Sequence, residues 1–271
     1  MGQSINSIVA QAQQGDAAAL EQLVKHIQDR VHRLAMRMLV DPGLAQDATQ
    51  EILVRVVTKL STFKGDSKFE TWVYRVASNY LLTAKKMLAR DPGLSFEMFA
   101  EDLLDGLVDD TAAAPEDHVM LNELRVRCTM AMLLCLDANH RAAYVLGEIL
   151  EMDHREAANA LDVPPATYRQ RLSRARSKVL AFTAKSCGLA NSDATCSCPR
   201  RLPAALASGR IGDSPSALLQ DAPSYRDVRQ VAAKTEAALV AQKLQQATGP
   251  LAATDNLAAK VLQIVNPPNP H

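Results

Sequence analysis

Three cysteines crowd the segment CGLANSDATCSCPRR: Cys187, Cys196 and Cys198 fall within twelve positions, the last two as C-x-C. Thiolates at this density suit zinc, copper(I) or cadmium, because soft ligands select soft metals. Three are one short of a closed tetrahedral site, so His140, His154 or water would complete the set. Free loop thiols and a redox pair are the competing readings. The chain shows no phosphate-cradling glycine loop, no H-E-x-x-H and no nucleophile elbow, so no enzyme and no required cofactor are expected.

A second chemistry belongs to LDVPPATYRQRLSRARSKV, residues 161–179, where two prolines open a run of five basic residues that contains no acid. Tyr168, Leu172, Ala175 and Val179 recur at helical spacing as a buried stripe, which leaves Arg169, Gln170, Arg171, Ser173, Arg174 and Arg176 outward. Pro at the first helical position is tolerated because its missing N–H would be unpaired anyway. With EMDHREAANAL before it and DVP as the turn, the segment predicts a helix-turn-helix. Such a basic helix suits the DNA major groove, with its first residues on base edges and Arg174, Arg176 and Lys178 on phosphates. The alternative is a solvated basic face. A third candidate is the outward stripe Trp72, Arg75, Asn79, Thr83 and Lys86. A lone Trp fits a core, but beside Arg, Asn and Lys it also fits stacking on an unpaired base.

The elements that must position these residues are helical throughout. Aromatics make up only 4% of the 271 residues, apolar residues 48%, and the fold class expected is all-α. In DAAALEQLVKHIQDRVHRLAMRMLV, Leu20, Leu23, Val24, Ile27, Val31, Leu34 and Met38 form one amphipathic face, stopped at Asp41-Pro42-Gly43. The next helix, LAQDATQEILVRVVTKL, sets Ala45, Ala48, Ile52, Val56 and Leu60 against a polar stripe of Asp47, Gln50, Glu51 and Arg55, either solvated or a docking face. Ser67-Lys68-Phe69-Glu70 has capping-box form and predicts a helix from Phe69 to about Ala89, with Phe69, Val73, Val76, Tyr80 and Ala84 inward. LNELRVRCTMAMLLCL places Cys128 and Cys135 on one face with Leu121, Leu124 and Met132, as core residues.

The zero net charge conceals blocks. Residues 91–118 carry nine acids and no Lys or Arg, and read as a linker that is either a solubilising tether or a mobile acidic strand for a basic channel. The expected organisation is 1–90, an acidic flexible linker at 91–118, a helix-turn-helix module at 119–186, and a helical cysteine-bearing extension at 187–271 with a regulatory role. The start lacks a basic and then apolar leader, and Asn6 spoils a myristoylation signal at Gly2. No stretch of 18 uncharged apolar residues occurs, so a soluble intracellular protein without membrane insertion is expected.

DAAALEQLVKHIQDRVHRLAMRML, DATQEILVRVV and FKGDSKFETWVYRVASNYL resemble the first conserved region of bacterial sigma factors, and LDANHRAAYVLGEIL with HREAANALDVPPATYRQRLSRAR resembles the last. Two matches in this order without a middle region are similar to the extracytoplasmic-function (group 4) class of the sigma-70 superfamily. The resemblance covers roughly residues 8–90 and 119–185. It implies that Asp47, Gln50, Glu51 and Arg55 grip the coiled-coil clamp of the polymerase largest subunit. It implies that Phe63, Lys64, Gly65 and Asp66 capture a flipped base of the minus-10 element, and that Trp72, Arg75, Asn79 and Lys86 separate and hold the single strand. By the same resemblance Thr167, Arg169, Gln170, Arg171, Arg174 and Arg176 belong to the helix on minus-35 DNA, and the acidic linker runs toward the polymerase active centre. Ala166-Thr167-Tyr168 stands where the family often has Gly-Thr-Val, and Gln170 replaces a common small residue.

The implied partners are the RNA polymerase core, through its largest and second-largest subunits, promoter DNA as duplex and as melted strand, and an anti-sigma factor. The implied location is the cytoplasm, at the nucleoid. Similar cysteine-bearing extensions occur in some members of this class, where they suggest control without a separate membrane anti-sigma factor; stress, metal or redox control is the expectation. Two other readings remain: a helix-turn-helix repressor that never touches polymerase, which leaves the Trp72 and Asp47 stripes idle, and a cytosolic metal or thiol sensor, which uses only the tail.

Overall fold

The computed structural model describes residues 4–84, 93–108, 118–212, 222–249, 251, 253 and 257–265. Among these residues there are thirteen α-helices and no strand, the all-α architecture expected from composition. They are α1 (Ile5–Gln13), α2 (Ala17–Leu39), α3 (Pro42–Thr58), α4 (Phe69–Thr83), α5 (Phe96–Leu104), α6 (His118–Leu134), α7 (Ala138–Tyr144), α8 (His154–Ala160), α9 (Pro165–Ser186), α10 (Cys198–Ala207), α11 (Tyr225–Lys234), α12 (Ala237–Gln246) and α13 (Leu257–Val265). No described helix is long and apolar enough to cross a membrane.

The helix starts are set by short polar side chains that satisfy the orphan N–H groups of the first turn. Asp16 accepts from Ala18 and Ala19 to open α2 (2.9 and 3.0 Å), and Asp41 accepts from the Leu44 N–H (2.7 Å) to open α3 with Pro42 in its first turn. Asp-Pro-Gly therefore begins α3 as well as ending α2, whose last cap, Val40, is left-handed at φ 54°. The capping box predicted at Ser67 does not form. Lys68 is the N-cap of α4, and the Ser67 hydroxyl turns to the Lys68 carbonyl instead. The helix also stops at Thr83, where Ala84 is extended, short of the predicted end near Ala89.

The chain divides into two compact units that do not follow chain order: 1–91 with 152–169 and 251–271, and 92–151 with 170–250. In the first unit, α2 and α3 pack face to face and α4 closes on both. The predicted α2 face is buried from Leu23 to Met38, with Leu20 half-buried. Its polar core is small: the buried His32 donates from Nδ1 to the Thr49 hydroxyl (3.1 Å), which itself donates to the Ala45 carbonyl (2.6 Å). Helix α13 lies on α2 and α3, with Leu257, Ala258 and Val261 buried and the Ala258 N–H on Gln28 (3.3 Å).

The second unit is organised around α6. Leu121 and Leu124 pack with Leu202, Ala205, Ile211 and Tyr225, so α10 and α11 share one core with α6. Buried Arg125 fastens this arrangement, donating to Asn122 and to the Ala247 carbonyl (3.0 Å) at the end of α12. A flexible linker was the expectation for 91–118, but 96–104 is the helix α5, capped by Ser95. Phe99 and Leu103 give it an apolar face that packs with Met132 and Phe182, and the Phe99 and Phe182 rings stack at 5.4 Å. Asp102 receives Arg201 and Arg210, so part of the acidic block neutralises the extension. Residues 109–117 of the predicted linker lie outside the described residues.

Candidate nucleic-acid and polymerase interface

In the first unit, aromatic side chains gather where α3 ends and α4 begins. Phe63, Phe69 and Trp72 form a triangle with ring centroids 5.4 to 5.8 Å apart, and the Phe69 and Trp72 rings are stacked. Phe69 is fully buried while Trp72 and Phe63 are only half-buried, so the indole is neither a core residue nor free of the core. One side of it opens on a groove of about 300 Å³ shared with Arg55, Lys59, Arg75, Asn79 and Tyr80. The predicted inward face of α4 is corrected here: Val76 and Tyr80 line the groove, while Tyr74, Ala77, Ser78 and Leu81 are buried with Phe69 and Val73. The shift arises because α4 is covered on two sides, and a covered helix can bury small polar residues such as Ser78.

Arg55 links two predicted sites. It pairs with Glu51 one turn earlier (3.0 Å), and its guanidinium lies 4.8 Å from the centre of the Tyr80 ring. The cation is thereby held over the groove as well as on the α3 stripe. Asp47, Glu51 and Arg55 are exposed along α3 and Gln50 is half-buried, so the stripe is a continuous polar surface.

Loop 63–66 follows a short turn at Leu60–Thr62. Gln13 of α1 reaches it, donating to the Leu60 and Phe63 carbonyls (both 2.9 Å). Gly65 is left-handed at φ 84° with open space around it, which lets the loop turn back toward α4. Lys64 and Asp66 are exposed, and a cavity of about 540 Å³ lies between α1 and the loop, walled by Val9, Phe63, Lys68 and Phe69. Lys86 lies outside the described residues.

Helix α8 packs against α4 within the same unit. Asp153 caps α8, and the turn after it carries Asp162 at φ 54°. Lys68 bonds Glu156 (2.5 Å) and Arg75 donates to Asp162. Arg75, predicted on single-stranded DNA, is thus held by an acid of the helix-turn-helix. The bond to Glu156 raises the Lys68 pKa above its ordinary value.

Along α9 the predicted stripe is buried at every position: Tyr168, Leu172, Ala175 and Val179. Arg169, Gln170 and Arg174 are exposed, and Thr167 and Arg171 half-buried. Arg176 is exposed as well, but it also has a partner within the fold. In the second unit its Nε donates to Glu148 (3.1 Å), a buried carboxylate in the π-helical turn Val145–Ile149, so it is a structural partner of that turn. The carbonyl of Glu148, released by the wider turn, accepts from Gln246 (2.9 Å) and Gln242 (3.4 Å) of α12.

The three tail cysteines converge, and Cys128 of α6 joins them around one small cavity. Sequence reasoning placed Cys128 in the core with Cys135 and missed this; the only signal for it was an unpaired count of thiols. Neither His140 nor His154 lines the cavity. His140 turns to Asp137 (2.5 Å), and His154 packs edge-on against Tyr168. Burial pushes Cys196 up to about 11 and Cys198 up to about 12.

Comparison with known proteins gives two matching family models, sigma-70 region 2 over residues 23–90 and sigma-70 region 4 over residues 127–179. The ECF RNA polymerase sigma-E factor of Escherichia coli (strain K12) is 32% identical over 177 residues, covering 64% of this chain and 90% of that protein. The ECF RNA polymerase sigma factor SigW of Bacillus subtilis (strain 168) is 28% identical over 184 residues, covering 65% and 95%. Among solved structures, CnrH in complex with the cytosolic domain of CnrY superposes with a TM-score of 0.46 at 24% identity, covering 65% of this chain and 94% of that one.

Proposed function

The chain belongs to the extracytoplasmic-function sigma factors, promoter-specificity subunits of bacterial RNA polymerase, and from that premise we propose how its surfaces divide the work of initiation. The α3 stripe of Asp47, Gln50, Glu51 and Arg55 docks on the polymerase clamp. Loop 63–66 takes a flipped minus-10 base, Trp72, Arg75 and Asn79 hold the separated strand with Lys86 beyond them, and residues 167–174 of α9 read minus-35. The chain itself catalyses no reaction; it acts where polymerase and chromosome are, in the cytoplasm, and an anti-sigma protein is a further partner that the class implies.

The observation that carries this reading is the groove in which a half-buried Trp72 stands among Arg55, Lys59, Arg75 and Asn79. Opening a promoter costs about 1.4 kcal/mol of stacking per base-pair step. Stacking a released base on an aromatic ring returns about 1–3 kcal/mol, and the cations hold its phosphate. A repressor that binds only duplex has no use for such a groove. The acids on Arg75 and Lys68 must give way to the strand, and exposed ion pairs of this kind are worth about 0–1 kcal/mol, so the exchange is cheap.

The test is run-off transcription over a fragmented genomic library with purified core polymerase, with and without the protein. Defined transcripts that depend on the protein are expected. Duplex binding by the full chain with no new transcript would overturn the reading in favour of a repressor.

A further inference from the structure

Cys187 follows the last residue of α9, Cys198 is the first residue of α10, Cys196 precedes it by two, and Cys128 lies within α6. These four thiols line one cavity of about 40 Å³ in the second unit, with apolar walls from Leu124, Met132 and Phe182. The space suits a single ion and no organic ligand. Cys135, just past the end of α6, bonds back to the Ala131 carbonyl (3.7 Å) and is absent from the lining.

The loop that brings the three tail thiols together is built, not slack. The Gly188 N–H donates to the Cys196 carbonyl (2.9 Å), and a Cβ on Gly188 would come within 2.9 Å of that oxygen. Ala190 and Asn191 N–H groups both return to the Cys187 carbonyl (2.9 Å), and the Asn191 side chain holds the Ala184 carbonyl (3.0 Å). Burial raises the Cys187 and Cys198 pKa values, opposed at Cys187 by the backbone N–H groups of Leu189 and Ala190 and at Cys198 by the Tyr225 hydroxyl.

Charge provides the second, independent observation. Arg201 is buried at the cavity wall, and Arg125, 1% exposed, acts electrostatically on Cys198. The Nη1 of Arg125 has no hydrogen-bond partner among the described residues, although its other nitrogens are fully engaged. No carboxylate lines the cavity. Arg201 already pairs with Asp102, whereas the groups on Arg125 are Asn122, backbone carbonyls, Cys198 and Tyr225, none of them a carboxylate, and a buried cation needs nearby negative charge. Four thiolates on a divalent ion carry two net negative charges, which would give Arg125 the negative neighbour it lacks.

We propose that Cys128, Cys187, Cys196 and Cys198 are the four ligands of one tetrahedral zinc-class (d10, divalent) ion that joins the extension to α6 and α9. Binding releases the thiol protons to water, M²⁺ plus four Cys–SH giving [M(S-Cys)4]²⁻ plus four H⁺, with no change of oxidation state. As placed, no three His, Cys, Asp or Glu side chains among the described residues meet at a common centre. Closure therefore requires the thiols to rotate about χ1 toward a Zn–S distance of about 2.3 Å. Hard cations are excluded by the sulfur lining. The site stands independently of the promoter reading, since it rests on the second unit alone.

The test is anaerobic titration of the full-length, reduced, chelator-treated chain with Co²⁺ and with Cd²⁺. One ion per chain is expected, with thiolate-to-metal charge-transfer absorption, the intense visible bands of tetrahedral Co²⁺, and displacement of Co²⁺ by Zn²⁺. Cys128→Ser should weaken binding by more than the roughly 100-fold lost with a merely supporting residue, and Cys135→Ser should leave it unchanged. Because Cys128→Ser could disturb α6, Cys187→Ser, just past the end of α9, is titrated beside it, with helical content checked by circular dichroism. Absence of charge-transfer absorption, metal bound equally by wild type and Cys128→Ser, or conversion to disulfides without metal uptake would each overturn the assignment.

Discussion

Replacing Arg176 by Ala should damage the fold rather than the electrostatics of DNA binding, the opposite of what its place in a basic run suggests. Glu148 is 6% exposed, and Arg176 is the cation on its carboxylate, through Nε at 3.1 Å and through Nη2. Removing the guanidinium leaves a buried carboxylate short of donors, which costs about 1–3 kcal/mol, at the lower end here because Arg176 is itself half-exposed. At about 1 kcal/mol, that lowers Tm by roughly 2–4 °C for a chain of this size. Arg174, exposed on the same helix, provides the control: Arg174→Ala should keep Tm and reduce the salt slope of log Kd for minus-35 duplex by about 1. The two variants are compared by calorimetry and by anisotropy titrations between about 50 and 200 mM salt. An Arg176→Ala protein with unchanged Tm and a salt slope reduced as much as that of Arg174→Ala would refute the structural role.

Trp72→Ala should retain minus-35 duplex binding and lose about 5- to 150-fold in open-complex occupancy, the equivalent of 1–3 kcal/mol of base stacking; permanganate reactivity of the melted thymines reads this, and normal reactivity would remove the stacking role. Glu51→Lys should weaken core-polymerase binding by about tenfold or more through like-charge contact while sparing duplex DNA, and equal loss of both would contradict the division of surfaces. Burial lowers the His32 pKa below its ordinary 6.5, opposed by the nearby Asp29. The unfolded chain then binds a proton that the folded chain refuses, so this contribution to stability is complete above pH about 6.5 and declines as the pH falls below it. Wild type should lose more Tm than His32→Gln between pH about 7.5 and 5.5, and equal losses would show that another group titrates.

Local pattern was enough for most of the long helices and for which of their side chains stay exposed. Tyr168, Leu172, Ala175 and Val179 are buried as their spacing predicts, and Asp47, Glu51, Arg169 and Arg174 are exposed as theirs does, because helical periodicity reports a face within a single element. The same rule misjudged Val76 and Tyr80, since which apolar residues a helix hides depends on the neighbours that cover it, and the groove beside Trp72 leaves these two open. The acidic stretch 91–118 read as a linker because its charge outweighed a short apolar face, yet Phe99 and Leu103 found Met132 and Phe182 to bury against. Only tertiary structure could pair Arg176 with Glu148 or bring Cys128 to the tail thiols: charge and sulfur carry no periodicity, and their partners lie on separate helices. What the sequence determined by itself was the main helices of the two motifs, the buried stripes of α2 and α9, and the order of those motifs. Which cation pairs with a buried acid was decided by packing, because a guanidinium is tied into the fold only where a desolvated carboxylate lies within reach.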